Sequence, residues 1–170
     1  KLHTYRYAHS ICLIDLAGSA SDDKRMYFYT IALRWFPIYF AFLLRGVQNI
    51  GRGNYKQARK DIKNSIRIKP KNADAYLVRS YYNYRIGKKN KALHDLNIVI
   101  SLNPSFGMAY KLRGEFYFSK NMFVEMIKDY DMAIELGDED ADTYNQRGIG
   151  YLFSGEIDIA IADFSLAIKK

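Results

Sequence analysis

Cysteine, proline, tryptophan and histidine are all scarce in this chain of 170 residues. The single cysteine, Cys12, excludes an internal disulfide framework and leaves no thiolate cluster that could bind a metal ion. The histidines, His3, His9 and His94, are scattered, and no third group is placed to orient His9 and Cys12 as a catalytic pair. A glycine-rich phosphate-binding loop is also missing. The sequence therefore predicts no enzyme activity, no metal site and no cofactor.

Alternating carboxylates in the run Asp138–Asp142 superficially resemble a calcium-binding loop. Such a loop needs a glycine at its sharp turn and a closing glutamate, but this run has no glycine there and Ile149 stands at the place of the glutamate. Carboxylates are favoured at the start of a helix, where they accept hydrogen bonds from free backbone N–H groups. We therefore interpret this run as a helix N-terminus.

A pattern that returns at a constant interval occupies most of the sequence, and its clearest copy is Met108–Leu136. In this copy an apolar-periodic segment is followed by a short break and a second apolar-periodic segment. Five positions keep a constant register across four copies, which indicates a repeat array. They are an aromatic column (Phe42, Tyr76, Tyr110, Tyr144), an Arg column (Arg45, Arg79, Arg113, Arg147), a small-residue column (Gly46, Ser80, Gly114, Gly148), an Asp column (Asp61, Asp95, Asp129, Asp163) and an Ile column (Ile66, Ile100, Ile134, Ile168).

This period and pattern resemble the tetratricopeptide repeat, in which each unit of about 34 residues is a helix–turn–helix. The resemblance implies an all-α fold: a right-handed superhelical solenoid with an N-terminal helical cap. The implied domains are a cap or degenerate repeat (1–38), three units (39–72, 73–106 and 107–140) and an incomplete unit (141–170). Because the chain ends inside a predicted helix, we expect it to be part of a longer protein.

The unit 107–140 departs from the repeat pattern at three positions. Asn121 replaces the turn glycine, Met126 replaces a small residue of the second helix, and Asp138 replaces the closing proline. These residues are larger or more polar than those of the other units. We therefore expect looser packing in this unit, with the same fold.

The segment 1–38 is less regular than the repeats. The apolar spacing predicts one helix over Tyr5–Leu16 and, after a loop capped by Ser21 or Asp22, a second helix that stops before Pro37. The segment Met26–Leu44 is mostly apolar and could instead suggest a membrane span. Its internal arginine and proline argue against that reading, because a charge near the middle of a span is costly.

The Arg and Asp columns predict ion pairs. If the turns centre on residues 53, 87, 121 and 155, each Arg lies eight residues before a turn and each Asp eight residues after it. Such positions are level with each other in an antiparallel helix pair. We predict the pairs Arg45–Asp61, Arg79–Asp95, Arg113–Asp129 and Arg147–Asp163, with the role of fixing helix register. The alternative is that each is a solvated surface charge.

In solenoids of paired helices the first helix of each unit lines the concave surface. Helical periodicity and the resemblance assign mostly apolar and aromatic residues to this surface, which predicts a groove for an apolar peptide or an amphipathic helix of a partner protein. Alternatively, the groove is filled within a larger assembly or by flanking sequence of the chain itself. The predicted partner-binding residues are Leu43, Leu44, Val47, Leu77, Val78, Tyr81, Tyr84, Arg85, Met108, Lys111, Leu112, Glu115, Phe118, Asn145, Gln146 and Ile149.

Some members of the family grip the terminal carboxylates of chaperone tails with a Lys, Asn, Asn, Lys, Arg constellation on this surface. The matching positions here hold Leu43, Val47, Val78, Met108 and Leu112, and a frame one unit later supplies no better set. A carboxylate needs cationic donors. The resemblance therefore does not extend to chaperone C-termini as partners.

The formal net charge of +8 is unevenly distributed. A basic patch of Arg59, Lys60, Lys63 and Arg67 falls on a predicted second helix, outside the groove. Such a patch is typical of a solvated helix face, but it could also dock nucleic acid or an anionic membrane, or meet the acidic surface 125–140 of a second copy in a head-to-tail contact. Nucleic-acid binding is disfavoured, because Arg85 and Lys111 are the only cations assigned to the groove.

Overall fold

The computed structural model describes residues 21–35 and 38–170, and all the regular secondary structure of these residues is helical. Short turns join most of the helices, and the longest described helix has 14 residues. The helices are α1 (Asp22–Trp35), α2 (Tyr39–Gly51), α3 (Tyr55–Ile68), α4 (Ala73–Arg85), α5 (Lys89–Leu102), α6 (Gly107–Phe118), α7 (Phe123–Glu135), α8 (Ala141–Phe153) and α9 (Ile157–Lys169).

The helices are distributed over two compact units. Unit 1 (Lys1–Lys88) contains α1 to α4, and unit 2 (Lys89–Lys170) contains α5 to α9. Within unit 1, α2 packs against α3, and within unit 2, α6 packs against α7 and α8 against α9. These are helix pairs of the predicted kind. The repeat predicted over 73–106 contributes one helix to each unit, and the predicted repeat boundaries remain predictions.

Helix α1 begins where the sequence predicts it. The carbonyl of Ser21 accepts a hydrogen bond of 2.9 Å from the N–H of Arg25, and the helix ends at Trp35, before Pro37. The predicted helix Tyr5–Leu16 lies outside the described residues. Across residues 21–35 and 38–170, no helix combines the length and the apolar character that a membrane crossing requires.

Helix α1 packs against α2 through small residues. Ala32 and Ala41 are completely buried, and Phe28, Ile31 and Ile38 pack around them. Farther along α2, Ile50 forms a second core with residues of α3 and α4. Its other members are Ala58, Ile62, Tyr55, Ile66, Val78 and Tyr82. The described part of the N-terminal segment therefore covers one side of α2.

The turns between paired helices share one backbone conformation. Gly53 and Gly155 have φ angles of 73° and 87°, in the left-handed region that favours glycine. Asn121 takes the same place with φ 58°, which asparagine tolerates better than other side chains. The hydrogen bonds correspond as well, since Gly53 N–H donates to Ile50 and Asn121 N–H donates to Phe118, at 3.0 and 2.9 Å. The replacement of glycine at 121 therefore leaves the predicted turn intact.

The small-residue column marks close helix contacts. A Cβ atom at Gly114 would lie 2.7 Å from the ring of Tyr130, and one at Gly148 would lie 2.8 Å from the ring of Phe164. These rings belong to the second helix of each pair. Glycine is needed because the ring occupies the space that a side chain would fill.

The expectation of looser packing around Met126 is wrong. Met126 is completely buried, and a Cβ atom at Gly150 would lie 3.6 Å from its sulfur and 2.9 Å from Cγ1 of Ile127. Gly150 of α8 therefore makes room for the larger side chains of α7. The long, flexible methionine fills the gap that remains.

Candidate partner-binding faces

Three of the four predicted Arg–Asp pairs are present as two-pronged ion pairs. Arg45 donates from Nε and Nη2 to the carboxylate of Asp61, at 2.9 and 2.7 Å. The pairs Arg113–Asp129 and Arg147–Asp163 repeat this geometry, with distances of 2.7 to 2.8 Å. The fourth, Arg79–Asp95, would join residues of different units and stays a prediction.

The three pairs are not surface charges. The carboxylate side chains of Asp61, Asp129 and Asp163 are 0%, 5% and 3% exposed. Two-pronged contacts between a guanidinium and a carboxylate fix orientation as well as distance. Each pair therefore holds its two helices in one register, as the sequence predicts.

Two of the arginines also reach a preceding helix of unit 2. Arg147 Nη1 donates to Asp131 of α7 at 2.7 Å, and Arg113 Nη1 donates to Asn97 of α5 at 2.7 Å. The hydrogen bond with Asp163 raises the pKa of Arg147 above its ordinary value. These arginines therefore link α6 to α5 and α8 to α7 inside unit 2.

The predicted partner-binding residues of unit 1 lie on α2 and α4. Val47, Tyr81, Tyr84 and Arg85 are exposed, and Leu44 and Leu77 are half-buried. A guanidinium nitrogen of Arg85 donates to the hydroxyl of Tyr81 at 2.7 Å, which orders these two side chains. We call the following set the unit 1 face: Phe40, Leu44, Val47, Leu77, Tyr81, Tyr84 and Arg85.

Two predicted residues of unit 1 belong to the interior instead. Leu43 is only 4% exposed, so its assignment to the binding surface is wrong. Val78 packs against the core of Ile50, Ala58 and Ile62 and is half-buried. Helical periodicity gives the direction of a side chain from its own helix axis, but it does not show which neighbouring helix lies in that direction.

The predicted residues of unit 2 lie on α6 and α8. Met108, Glu115, Phe118 and Asn145 are exposed, whereas Leu112, Gln146 and Ile149 are half-buried. These residues include apolar, amide and acidic side chains. We call the following set the unit 2 face: Met108, Leu112, Glu115, Phe118, Asn145, Gln146 and Ile149.

Lys111 is not the groove cation that the sequence predicts. It is only 7% exposed, and its Nζ donates to Asp140 at 2.7 Å. The other carboxylate oxygen of Asp140 caps α8, where it accepts from the backbone N–H and the hydroxyl of Thr143, both at 2.7 Å. The hydrogen bonds from Lys111 and Thr143 lower the pKa of Asp140 to about 2. Lys111 therefore ties α6 to the start of α8, which also confirms the helix N-terminus expected there.

The carboxylates near Lys111 make the unit 2 face acidic. Burial raises the pKa of Glu115, repulsion from Asp142 raises it further, and attraction by Lys111 lowers it in part. Lys111 has its ion pair with Asp140, so Glu115 and Asp142 remain to attract a cation. This face therefore carries negative charge beside its apolar side chains.

Tyr130 supplies a buried hydroxyl beneath this acidic region. The side chain is completely buried, and its hydroxyl has no hydrogen-bond partner among the described residues. Burial, followed by the charge of Glu115, raises the pKa of Tyr130 well above its ordinary value. The hydroxyl is therefore neutral at physiological pH, and its ring serves to pack against Gly114.

An aromatic cluster at one end of unit 2 was not predicted. Phe123 and Phe153 stack with ring centroids 5.0 Å apart, and Phe118 packs against both, at 6.2 and 6.0 Å. Phe118 and Phe153 are nonetheless exposed on their outer sides. In the sequence, this cluster is indicated by a phenylalanine at the C-terminal end of each first helix of unit 2, beside the turn.

The predicted basic patch is exposed on α3. Arg59, Lys60, Lys63 and Arg67 all lie on the solvent side of this helix. Among the described residues, no group of three or more His, Cys, Asp or Glu side chains is arranged to hold a metal ion. The basic patch lies on α3, whereas the unit 1 face lies on α2 and α4, so the two surfaces are separate.

No family model and no curated protein sequence matches the chain. Solved structures do match it. A crystal structure of MamA has a TM-score of 0.75 at 24% identity and covers 87% of each chain. YrrB, a tetratricopeptide-repeat protein with an unusual peptide-binding site, has a TM-score of 0.70 at 20% identity over 94% of this chain and 85% of its own.

A third match is to the Cut9–Hcn1 hetero-tetramer of APC/C, with a TM-score of 0.76 at 16% identity over 92% of this chain and 31% of the other. Likenesses at these identities show the fold. The chain has an all-α helical-repeat fold of the tetratricopeptide type, which confirms the resemblance and the predicted fold class.

Proposed function

We propose that the chain is a non-catalytic protein-interaction module that binds an apolar peptide or an amphipathic helix of a partner protein. The observation that carries this proposal is the exposure of large apolar side chains on the first helices. Phe40, Val47, Tyr81 and Tyr84 are exposed in unit 1, as are Met108 and Phe118 in unit 2. Contiguous exposed apolar surface of this kind usually marks an interaction site.

The backbone beneath these side chains is held in place. Buried Arg–Asp pairs fix the register of α2 on α3 and of α6 on α7. A partner would therefore meet a preformed surface, and little conformational freedom would be lost in the module on binding. A helical ligand would offer anchors three or four residues apart to such a surface.

Charge supports a distinction between the two faces. The unit 1 face carries Arg85, and the unit 2 face carries Glu115, with Asp142 close by. We infer that the unit 1 face favours an apolar segment with an acidic residue, and the unit 2 face an apolar segment with a basic residue. Charges of this kind select partners more than they add affinity.

A displayed library of random 15-residue peptides tests the proposal. Enriched peptides are labelled, and their fluorescence polarisation is measured with the native chain and with two variants, Tyr81→Ala for unit 1 and Met108→Glu for unit 2. Both positions are exposed, so the variants keep the fold. We expect at least one variant to weaken each enriched peptide about tenfold or more, as for an interface anchor.

Matched control variants distinguish this outcome from non-specific binding of peptides. Tyr27→Ala and Val124→Glu change residues that are more exposed than Tyr81 and Met108 and lie outside both faces. Enrichment of no peptide, or equal weakening by the control variants, would contradict a binding role for the first-helix faces.

The alternative is a structural subunit whose faces are filled by other chains or by flanking sequence. Helix α1 does cover part of α2, through Ala32 and Ala41. It leaves Phe40 and Val47 exposed on the same helix. This observation favours an accessible face on α2.

The basic patch supports a weaker candidate function as a dock for nucleic acid or an anionic membrane. Its cations are exposed and lie on one helix. Binding of a 20-nucleotide single-stranded DNA or of phosphatidylserine vesicles would then fall steeply with added salt. Binding that is absent, or insensitive to salt, would exclude this function.

A further inference from the structure

Helix α9 exposes more than half of each side chain in a row of isoleucines. Ile157, Ile161 and Ile168 are 57%, 57% and 86% exposed. They are spaced at i, i+4 and i+11, which places them on one side of a helix at 100° per residue. Ala160 and Asp163, which contact the rest of unit 2, lie on a different side of α9.

The repeat shows what this row is built to contact. The equivalent positions one repeat earlier, on α7, are Phe123, Ile127 and Ile134, and all three are half-buried. Ile127 approaches α8 so closely that a Cβ atom at Gly150 would lie 2.9 Å from it. On α7 this row is therefore a helix-packing surface. On α9 the same surface has no helix against it among the described residues.

Charges beside the row select an orientation for a neighbouring helix. Asp158 lies at the N-terminal end of α9 and Lys169 at its C-terminal end, on the same flank of the isoleucine row. Neither forms an ion pair within the described part of the chain. A helix that runs antiparallel to α9 and carries the same two residues would place its lysine beside Asp158 and its aspartate beside Lys169. A parallel arrangement would instead bring like charges together.

We propose that α9 packs antiparallel against α9 of a second copy of this chain. Ile157 of each copy then lies near Ile168 of the other, and the two Ile161 side chains lie near the twofold axis. The contact is isologous, so it closes as a dimer and leaves no open end. Because both copies contribute the same residues, Asp158 of each copy lies near Lys169 of the other, and the two ion pairs are equivalent. This proposal is independent of the first-helix faces.

Analytical ultracentrifugation of the 170-residue chain over a range of concentrations tests the dimer. We expect a reversible dimer of twice the 19.8 kDa chain mass. Ile161→Lys should weaken dimerisation by about a hundredfold, because the lost apolar contact occurs twice in a symmetric dimer. Ile159→Lys is the matched control: Ile159 is 44% exposed but lies on the opposite side of α9, so the dimer should persist.

Charge reversal tests the orientation. Asp158→Lys alone and Lys169→Asp alone should each weaken the dimer, and the double variant should restore it. Far-UV circular dichroism checks that each variant keeps its helices. A chain that stays monomeric at millimolar concentration would overturn the proposal, as would a dimer unaffected by Ile161→Lys. Open-ended assemblies that depend on Lys60 and Lys63 would also overturn it, in favour of a head-to-tail contact.

Discussion

Replacing Arg45 by methionine isolates the contribution of a buried ion pair to unit 1. The carboxylate of Asp61 is completely buried and accepts four hydrogen bonds: two from Arg45, one from Asn49 at 3.1 Å and one from Gln57 at 3.0 Å. The Arg45→Met change removes two of these bonds and the compensating charge. The amides of Asn49 and Gln57 remain, but neither carries a positive charge.

The expected loss follows from the cost of a stranded charge. Removal of one partner from a buried ion pair typically costs about 3–5 kcal/mol of unfolding free energy. The two remaining amide donors and the partial exposure of Arg45, at 15%, place the expectation at the low end, about 3 kcal/mol. In the background Arg45→Met, the further change Asp61→Asn should recover much of this loss, because no charge is then buried.

A surface ion pair in the same unit provides the control. Arg52 and Asp23 are also 2.7 Å apart, but the Asp23 side chain is 94% exposed. Arg52→Met should therefore cost less than about 1 kcal/mol. The two variants remove the same kind of side chain and differ in the burial of the partner.

Urea denaturation supplies the measurement. Circular dichroism at 222 nm follows the loss of the helices. Free energies come from linear extrapolation to water. If Arg45→Met lowers the unfolding free energy no more than Arg52→Met does, burial of the Arg45–Asp61 pair does not make it essential for stability.

Three further predictions concern unit 2. Gly114→Ala should lower the unfolding free energy measured in urea by about 1–3 kcal/mol, because the added Cβ would meet the Tyr130 ring. Gly51→Ala is the control and should not lower it, because a Cβ atom at Gly51 would meet nothing within 4 Å. Tyr130→Phe should leave stability unchanged or raise it by up to about 1 kcal/mol, since it removes a hydroxyl without a partner among the described residues. Asp140, whose folded-state pKa of about 2 lies below its ordinary value, should contribute stability above pH 4 that is lost as the pH falls towards 2. Thermal melts over that range should therefore show a smaller loss of stability for Asp140→Asn than for the native chain.

Features that depend on the period of the repeat could be predicted from the sequence. A turn position is set by local backbone chemistry, so Asn121 could be placed beside the turn glycines before its φ of 58° was seen. The Arg–Asp pairs are equally predictable, because residues equidistant from a tight turn lie level on its two helices. Arg113 and Asp129 meet for this reason alone.

Features that depend on one particular neighbour could not be predicted in this way. Lys111 has the periodicity of the binding surface, but Asp140, 29 residues away, draws its ammonium group into an ion pair. Met126 breaks the small-residue column, yet Gly150 on the next helix compensates for it. Asp140 and Gly150 do not belong to the five constant columns of the repeat, so those columns alone would not reveal either contact.

The same scaffold supports two chemically different faces because its structural charges are internal. The pairs Arg45–Asp61, Arg113–Asp129 and Arg147–Asp163 are internally neutralised between paired helices, so they contribute little to the surface charge. The charges of the chain as a whole are segregated: unit 1 holds 17 Lys and Arg against five Asp and Glu, whereas unit 2 holds nine against 13. The apolar side chains of the two faces are similar, so hydrophobic contact alone would not distinguish their ligands. Under the proposed function, selection between ligands would depend on surface charges such as Arg85 and Glu115, and it should weaken at high salt while apolar binding persists.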